Sequence, residues 1–248
     1  MTTRPARPGP QSLAGLQWLA RVGASPGEPL ALVMGWGHTA LHKHLARLIA
    51  TGLVWRIPMT RGEGSLLVVT RDGARIAGAH AAPRGLGPTS WAHAVACAWT
   101  SAWFEVRGRD WLSTSEVAQD DGWRGRVAYT DGRGRSHRLR HTPDLGTYVG
   151  DPGRPVAVEV ELQRKSLARL QGILAMYADR TMGPDGDLAG VVYITGTTVV
   201  AAGVRTAASA VQLDEHPGGR LRVLALGDVI TQTRDVARAA RAIAEAAR

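Results

Sequence analysis

The sequence has few of the features that would place it outside the cell or in a membrane. Its single cysteine, Cys97, has no disulfide partner within the chain and lies in an apolar run, where we expect a small buried residue. The hydrophobic runs are short and interrupted by glycine, arginine or polar residues, so none should span a bilayer. The N-terminal segment MTTRPARPGPQ has arginines but no apolar stretch behind them, so a secretory signal is not expected. We therefore expect a cytoplasmic protein with no membrane partner.

Lysine is almost as rare, because Lys43 and Lys165 are the only lysines and arginine supplies every other basic position. Basic residues outnumber acidic ones by 30 to 21, which gives a net charge of +9. Such an excess favours polyanionic partners, although a GC-rich genome, which enriches arginine and alanine together, would produce the same bias. Where arginine is the default cation, a lysine can mark a position that a guanidinium would not serve.

Segments rich in proline and glycine divide the chain into two modules. We predict a disordered tail over residues 1–10, a first domain over 11–79 and a linker over 80–89. A second domain follows over 90–232, and the Ala- and Arg-rich residues 233–248 are predicted as a terminal helix.

The first module has the pattern of a helix-turn-helix. Residues 13–22 and 29–34 are predicted as helices, and Thr39 can cap a third helix that runs to residue 51. Helix, short glycine-containing turn and helix is the helix-turn-helix arrangement. Leucine and isoleucine at 41, 45, 48 and 49 form the buried stripe of the third helix. Outside that stripe lie possible donors to phosphate or base edges: His38, His42, Lys43, His44 and Arg47.

Two predicted strands, residues 53–58 and 65–70, follow the third helix, with Arg61 at the tip of the turn between them. This is the winged arrangement, and it predicts binding of double-stranded DNA through Thr39, His42, Lys43, Arg47 and Arg61. The alternative is a three-helix module for protein contact or dimerisation. A metal site on the histidines is disfavoured, because His42 and His44 fall on different helical faces and no cysteine or carboxylate completes a site.

In the second module, a helix at 91–106 and strands at 126–130 and 136–140 precede two further extended runs, 144–149 and 156–162. If these two runs pair as a hairpin centred near residues 152–153, Asp144 lies almost opposite Glu161, and Glu159 shares the face of Glu161. Lys165 then lies at the start of the next helix. A one-residue error in register would move Asp144 to the other face.

The carboxylates have two interpretations. Valines alternate with Glu159 and Glu161, and buried carboxylates are costly unless they are paired or bound to a metal, so the pattern fits a site for a hard divalent cation. Alternatively, the strand lies at an edge and its glutamates are solvated.

The pattern Pro143-Asp144, fourteen intervening residues and Glu159-Val160-Glu161 resembles the motif of the PD-(D/E)XK nuclease superfamily. The predicted order of helix, strands, helix (164–177) and strand (191–195) is similar to the core of that superfamily, and a helix at 199–211 and a strand at 221–226 follow. With the upstream winged helix, residues 12–230 resemble the replication-relaxation family of plasmid and mobile-element proteins. The resemblance implies an α/β (α+β) fold: a winged helix-turn-helix followed by a restriction-endonuclease-like mixed sheet.

The resemblance implies that Asp144 and Glu159 bind Mg²⁺ or Mn²⁺, with Glu161 as a further carboxylate ligand. The lysine position of the superfamily falls on Glu161, which is a departure from the motif, although some restriction enzymes of the superfamily also have a glutamate at this position. Lys165 is the alternative cation for the scissile phosphate, and a degenerate site that only binds DNA is a third option.

Three functions follow from these patterns. The first is a DNA-binding protein of a plasmid or mobile element that nicks DNA as a metal-dependent endonuclease, with Asp144, Glu159, Glu161 and Lys165 as catalytic residues. The second is a non-catalytic transcriptional regulator that forms a homodimer through its second module. The third is a scaffold that recruits a relaxase or a replication protein.

Overall fold

A computed structural model describes residues 8–59, 64–79, 87–150, 153–184, 186–213 and 219–246. The chain folds as a mixed α/β protein with two compact units, one made of residues 1–108 and 230–248 and the other of residues 109–229. The predicted boundaries differ from this division, since they placed the start of the second domain at residue 90. Within the described residues, no helix is both long and apolar enough to cross a membrane.

The first unit opens with helices that pack around leucines. Leu16, Leu19, Leu30 and Leu48 are fully buried, and burial of each such side chain contributes about 2 kcal/mol. The elements in chain order are α1 (Pro10–Val22), β1 (Ala24–Pro26), α2 (Gly27–Met34) and α3 (His38–Ala50). The prediction that Thr39 caps α3 is wrong, because Gly37 is the N-cap and Thr39 lies inside the first turn.

A three-stranded antiparallel sheet completes the N-terminal part of this unit. Strands β2 (Val54–Pro58) and β3 (Ser65–Val69) pair as predicted, and β3 also pairs with β1, so the order is β1-β3-β2. The turn that carries Arg61 lies outside the described residues, as does most of the predicted linker. Strand β1 was not predicted from the sequence.

Three further helices belong wholly or mainly to the first unit. Helix α4 (Arg71–Ala77) begins at Thr70, whose hydroxyl accepts a hydrogen bond from the N–H of Gly73, and α5 (Trp91–Glu105) packs on α2 and β1. Cys97 lies buried in α5, as expected. The C-terminal helix, Leu226–Ala246, starts earlier than predicted, and its Arg234 forms an ion pair with Glu28.

The second unit is built on a five-stranded mixed sheet of order β10-β9-β8-β7-β4. Strands β8, β9 and β10 are parallel, whereas β7 is antiparallel to both β8 and β4. The elements are β4 (Trp111–Leu112), α6 (Thr114–Gln119), β5 (Gly125–Thr130), β6 (Ser136–His141), β7 (Leu145–Val149), β8 (Arg154–Glu161), α7 (Leu167–Met182), β9 (Gly190–Thr195), α8 (Thr198–Ser209) and β10 (Leu221–Ala225).

Strands β5 and β6 form a separate two-stranded ribbon that packs on α7. The ribbon contributes Val127 to a core that contains Ile173, Leu174 and Tyr177 of α7. Gly172 allows this close approach, because a Cβ there would lie 2.8 Å from the carbonyl oxygen of Ala128. The ribbon is therefore fixed to the helix that follows the glutamate-bearing strand.

Strand β8 occupies the centre of the sheet, and Glu159 and Glu161 are both buried. The alternative of an edge strand with solvated glutamates is therefore wrong. The predicted register of β7 against β8 is also wrong by two residues. Leu145 pairs with Val158, so Asp144, one residue earlier, lies opposite Glu159 and not opposite Glu161. A shift of two residues preserves the face, so Asp144 still lies at the end of the sheet that carries the glutamates.

Candidate functional site

The four residues predicted to form a catalytic site lie together at one end of the five-stranded sheet, where β8 ends and β7 begins. Because β7 runs antiparallel to β8, Asp144, which directly precedes β7, is adjacent to the carboxyl end of β8, which carries Glu159 and Glu161. Lys165 lies in the loop after β8 and forms an ion pair with Glu161. The structure thus brings three carboxylates and one ammonium group into a single cluster.

Asp144 is held against β8 by its own side chain. Its Oδ2 accepts a hydrogen bond of 2.8 Å from the main-chain N–H of Val160. Burial, followed by the negative charge of Glu159, raises the pKa of Asp144 to about 7, and the hydrogen bond from Val160 and the charge of Lys165 act against this shift. Two carboxylates that repel each other in a partly buried place are a common feature of functional sites.

Glu159 is 4% exposed, and two side chains donate hydrogen bonds to it. His141 Nε2 lies 2.6 Å from Glu159 Oε1, and the hydroxyl of Tyr177 donates to the same oxygen. Tyr193 lies beside Glu159 on β9, and its buried hydroxyl has no hydrogen-bond partner among the described residues. Burial and the charge of Glu159 raise the pKa of both tyrosines well above the usual value.

His141 and Tyr193 were not predicted as site residues from the sequence. His141 lies close before the Pro143-Asp144 pair, but the sequence contains no signal that its side chain reaches Glu159. Tyr193 lies in an apolar strand pattern that is equally typical of a core residue. These contacts arise from strand pairing and helix packing between distant segments, which a local pattern does not encode.

Lys165 occupies the end of the loop between β8 and α7. Helix α7 was predicted to begin near residue 164, but it begins at Leu167, after Ser166 as its N-cap. Burial lowers the pKa of Lys165, whereas the charges of Glu159 and Asp144 raise it. A cavity of about 340 Å³ adjoins this end of the site, and Glu161, Lys165, Leu170 and Val200 are among the residues that line it.

The donor set suits a magnesium ion that takes few ligands from the protein. Within the described ranges, no group of three or more His, Cys, Asp or Glu side chains is arranged to hold a metal. However, Mg²⁺ is usually bound by one or two carboxylates, with water and substrate phosphate as its other ligands. Asp144 and Glu159 provide two such carboxylates with mutual repulsion that a cation would relieve. Glu161, predicted as a third ligand, is paired with Lys165 instead.

The first unit presents a polar helix face with few internal partners. Thr39, His42, Lys43 and Arg47 of α3 are all exposed. His44 differs from them, because its ring stacks on Trp36 with centroids 4.4 Å apart and its Nδ1 lies 2.8 Å from Ser12 Oγ. Burial is the main cause of a lowered pKa of His44, and the positive charges of Arg47 and Lys43 lower it further. His44 is therefore a packing residue and not part of the exposed cationic face.

The fold and the site define a mixed α/β protein with a cluster of buried and partly buried carboxylates at the carboxyl end of the central strand β8. No family model and no curated protein matches the chain. Among solved structures, the chain is similar to protein VC1899 from Vibrio cholerae, with 12% identity and a TM-score of 0.36. The match covers 93% of this chain and 56% of that one. A likeness of this size carries no argument about fold or function.

Proposed function

We propose that this protein binds double-stranded DNA through its first unit and cleaves one strand at a divalent-metal site in its second unit. The observation that carries the proposal is the convergence of Asp144, Glu159 and Lys165 at the carboxyl end of β8, with the pKa of Asp144 raised to about 7 by burial and by the charge of Glu159. The resemblance to replication-relaxation proteins makes a plasmid or mobile element the expected setting.

The architecture of the first unit supports DNA binding. Its element order, α1-β1-α2-α3-β2-β3 with a β1-β3-β2 antiparallel sheet, supports the proposal of a winged helix-turn-helix. Helix α3 is the recognition helix in this proposal. Lys43 and Arg47 form no ion pair among the described residues, so both are available for phosphate contacts. Thr39 and His42 extend the same exposed face, and Arg61 would contribute from the wing.

In the second unit, Asp144 and Glu159 would hold Mg²⁺ or Mn²⁺. When bound, such an ion stabilises negative charge on the phosphate and lowers the pKa of a water molecule. His141 and Tyr177 keep the carboxylate of Glu159 oriented by donating to the same oxygen. Lys165, which Glu161 holds in place, supplies a cation for the phosphate. Here Lys165 takes the role that the superfamily motif gives to a lysine at the position of Glu161.

Relaxation of supercoiled plasmid in the presence of Mg²⁺ or Mn²⁺ tests this proposal. The variants Asp144→Asn and Glu159→Gln remove the charge while keeping the size of each side chain, and Asp179→Asn, an exposed position on α7, is the matched control. We expect metal-dependent nicking by the wild type and the control, and a loss of at least about 100-fold in both site variants. Equal nicking by all four proteins would refute the assignment.

The second candidate is a non-catalytic DNA-binding protein, either a regulator or a scaffold for a relaxase or replication protein. The observation that favours it is that Glu161 is paired with Lys165, and that Glu159 already accepts two hydrogen bonds. Absence of nicking with either metal, together with DNA binding that Lys43→Ala and Arg47→Ala weaken, would favour this candidate. A pure scaffold would neither nick the plasmid nor bind DNA.

A further inference from the structure

The ribbon formed by β5 and β6 has two different faces. Val127, Tyr129 and Leu139 point towards α7 and its core, and His137 and His141 lie on the same side. Arg126 pairs with Arg140 across the ribbon, and Ala128 pairs with Arg138, so these residues share the opposite face. That face is exposed. It carries three guanidinium groups and no large apolar side chain.

These arginines are not explained by folding. Arg126 and Arg140 are directly opposite each other, an arrangement of like charges that destabilises a strand pair. No ion pair connects Arg126, Arg138 or Arg140 to an acidic residue anywhere in the described ranges. A packing role would place such residues against carboxylates or apolar neighbours. Their arrangement leaves all three guanidinium groups accessible to an anion outside the chain.

The tip of the ribbon extends the basic surface. Asp131 is the only acidic residue between positions 126 and 140. Its Oδ1 accepts hydrogen bonds from the main-chain N–H groups of Arg133 and Arg135, and its Oδ2 lies 3.0 Å from His137 Nε2. The carboxylate thus shapes the turn while both arginine side chains remain exposed. We call the five residues Arg126, Arg133, Arg135, Arg138 and Arg140 the arginine ribbon.

The arginine ribbon adjoins the candidate site. Strand β6 ends at His141, which directly follows Arg140 and donates to Glu159 at 2.6 Å. Because Arg140 and His141 are consecutive strand residues, their side chains lie on opposite faces of the ribbon. The guanidinium groups therefore end beside the candidate site, but on the other face of the ribbon from His141 and Glu159.

We propose that the arginine ribbon binds the phosphate backbone of DNA. This inference rests on the proposed function, which it extends by naming a second DNA contact outside the winged helix. Guanidinium groups bind phosphate in a bidentate manner, and a two-stranded ribbon fits the major groove of B-DNA. Ala128, Thr130 and Ser136 fill the rest of the face, so it lacks the bulky apolar side chains that membrane-surface elements insert into lipid.

The test is DNA affinity of the full chain in EDTA, so that cleavage plays no part. Arg138→Ala/Arg140→Ala removes two ribbon cations that are two residues apart. Arg220→Ala/Arg222→Ala is the matched control, because these two arginines have the same spacing and are exposed at the outer strand β10 of the same unit. Both pairs are also made with Lys43→Ala/Arg47→Ala, so that the first unit does not mask the effect. Fluorescence anisotropy with a labelled duplex over a salt series gives Kd and its salt dependence.

We expect the ribbon variant to bind about tenfold more weakly and to lower the slope of log K against log salt by about 2, since each phosphate contact contributes about 0.9. The control should match its parent in both quantities. Equal weakening by the two pairs would overturn the inference, because it would reflect net charge alone. Unchanged DNA affinity with lost binding to anionic lipid vesicles would overturn it in favour of a membrane partner.

The two proposals fail in distinguishable ways. If the plasmid is never nicked but the ribbon variant loses affinity in EDTA, the nuclease assignment fails and the arginine ribbon stands. If nicking requires Asp144 and Glu159 but the ribbon variant binds and nicks like the control, the ribbon inference fails alone. Circular dichroism and urea unfolding of the ribbon variant check its fold, and we expect no loss of stability because Arg140 faces Arg126.

Discussion

The pKa of Asp144 predicts an unusual dependence of stability on pH. Burial and the charge of Glu159 raise this pKa from 3.8 to about 7 in the folded protein. The folded state therefore binds more protons than the unfolded state between these two values, so the contribution of Asp144 to stability is greatest at low pH and is lost as pH rises through this interval. This is the opposite of the usual behaviour of a carboxylate in an ion pair.

The magnitude follows from the difference between the two pKa values. With about 1.4 kcal/mol for each unit of pKa, the interval corresponds to a loss on the order of 4 kcal/mol when Asp144 is fully ionised. Asp144 is only partly withdrawn from solvent, and screening should reduce the loss to about 2 kcal/mol. Asp144→Asn cannot ionise, and its amide oxygen can still accept the hydrogen bond from Val160. This variant should therefore be more stable than the wild type above pH 7.

Urea unfolding in EDTA, at pH values from about 5 to about 8, measures this difference. We expect the free energy of unfolding of the wild type to fall by about 1 kcal/mol more than that of Asp144→Asn over this range, because part of the total loss of about 2 kcal/mol occurs below pH 5. Asp179→Asn, at an exposed position, should follow the wild type. An Asp144→Asn protein that is less stable than the wild type at pH 8, or that shows the same pH profile, would refute the reasoning about charge repulsion.

Two further predictions concern packing. His44→Ala should destabilise the first unit by about 1–2 kcal/mol in thermal unfolding, because it removes the stack on Trp36 and a buried hydrogen-bond partner, whereas His42→Ala should leave stability unchanged. Equal effects of the two changes would contradict the assignment of His44 to packing. Gly172→Ala should cost about 1–3 kcal/mol in urea unfolding, because its Cβ would meet a rigid backbone carbonyl oxygen at 2.8 Å. Gly203→Ala, on α8, is the control, since a Cβ there meets nothing within 4 Å, and a loss of the same size in both would contradict this reasoning.

Most helices and strands could be predicted from the sequence, because each depends on the spacing of residues that are close together in the chain. The leucine spacing of α3, the paired strands after it and the run of valines in β8 depend on residues close in sequence, and the structure confirms these elements. The cap of α3 was misplaced, because Gly37 in an extended conformation precedes the helix and no side chain signals this choice. Strand β1 has three residues and exists through its pairing with β3. Neither feature has a periodic pattern.

The candidate site divides in the same way. The types and spacing of Asp144, Glu159 and Glu161 were sufficient to predict a carboxylate cluster. They were not sufficient to predict the register, because the segment between β7 and β8 contains one proline and two glycines that allow more than one turn centre. The observed register places Asp144 next to Glu159, so the strongest repulsion falls on that pair and leaves Glu161 to Lys165. Which carboxylates could share a cation is thus a consequence of pairing across the hairpin.

The charge of the cluster explains why a proton and a metal ion are alternatives here. Lys165 balances Glu161, whereas Asp144 and Glu159 repel each other, and the hydrogen bond from Val160 and the charges of Lys165 and His141 act against the effect of this repulsion on Asp144. A proton on Asp144 removes that repulsion near pH 7, and a divalent cation between the two carboxylates would remove it at higher pH. The same repulsion that destabilises the metal-free fold would therefore contribute to metal affinity. A lysine at the position of Glu161 would add a net positive charge to the cluster. In this chain the charge of Lys165 is instead balanced by Glu161. The negative charge that remains in the cluster is therefore that of Asp144 and Glu159.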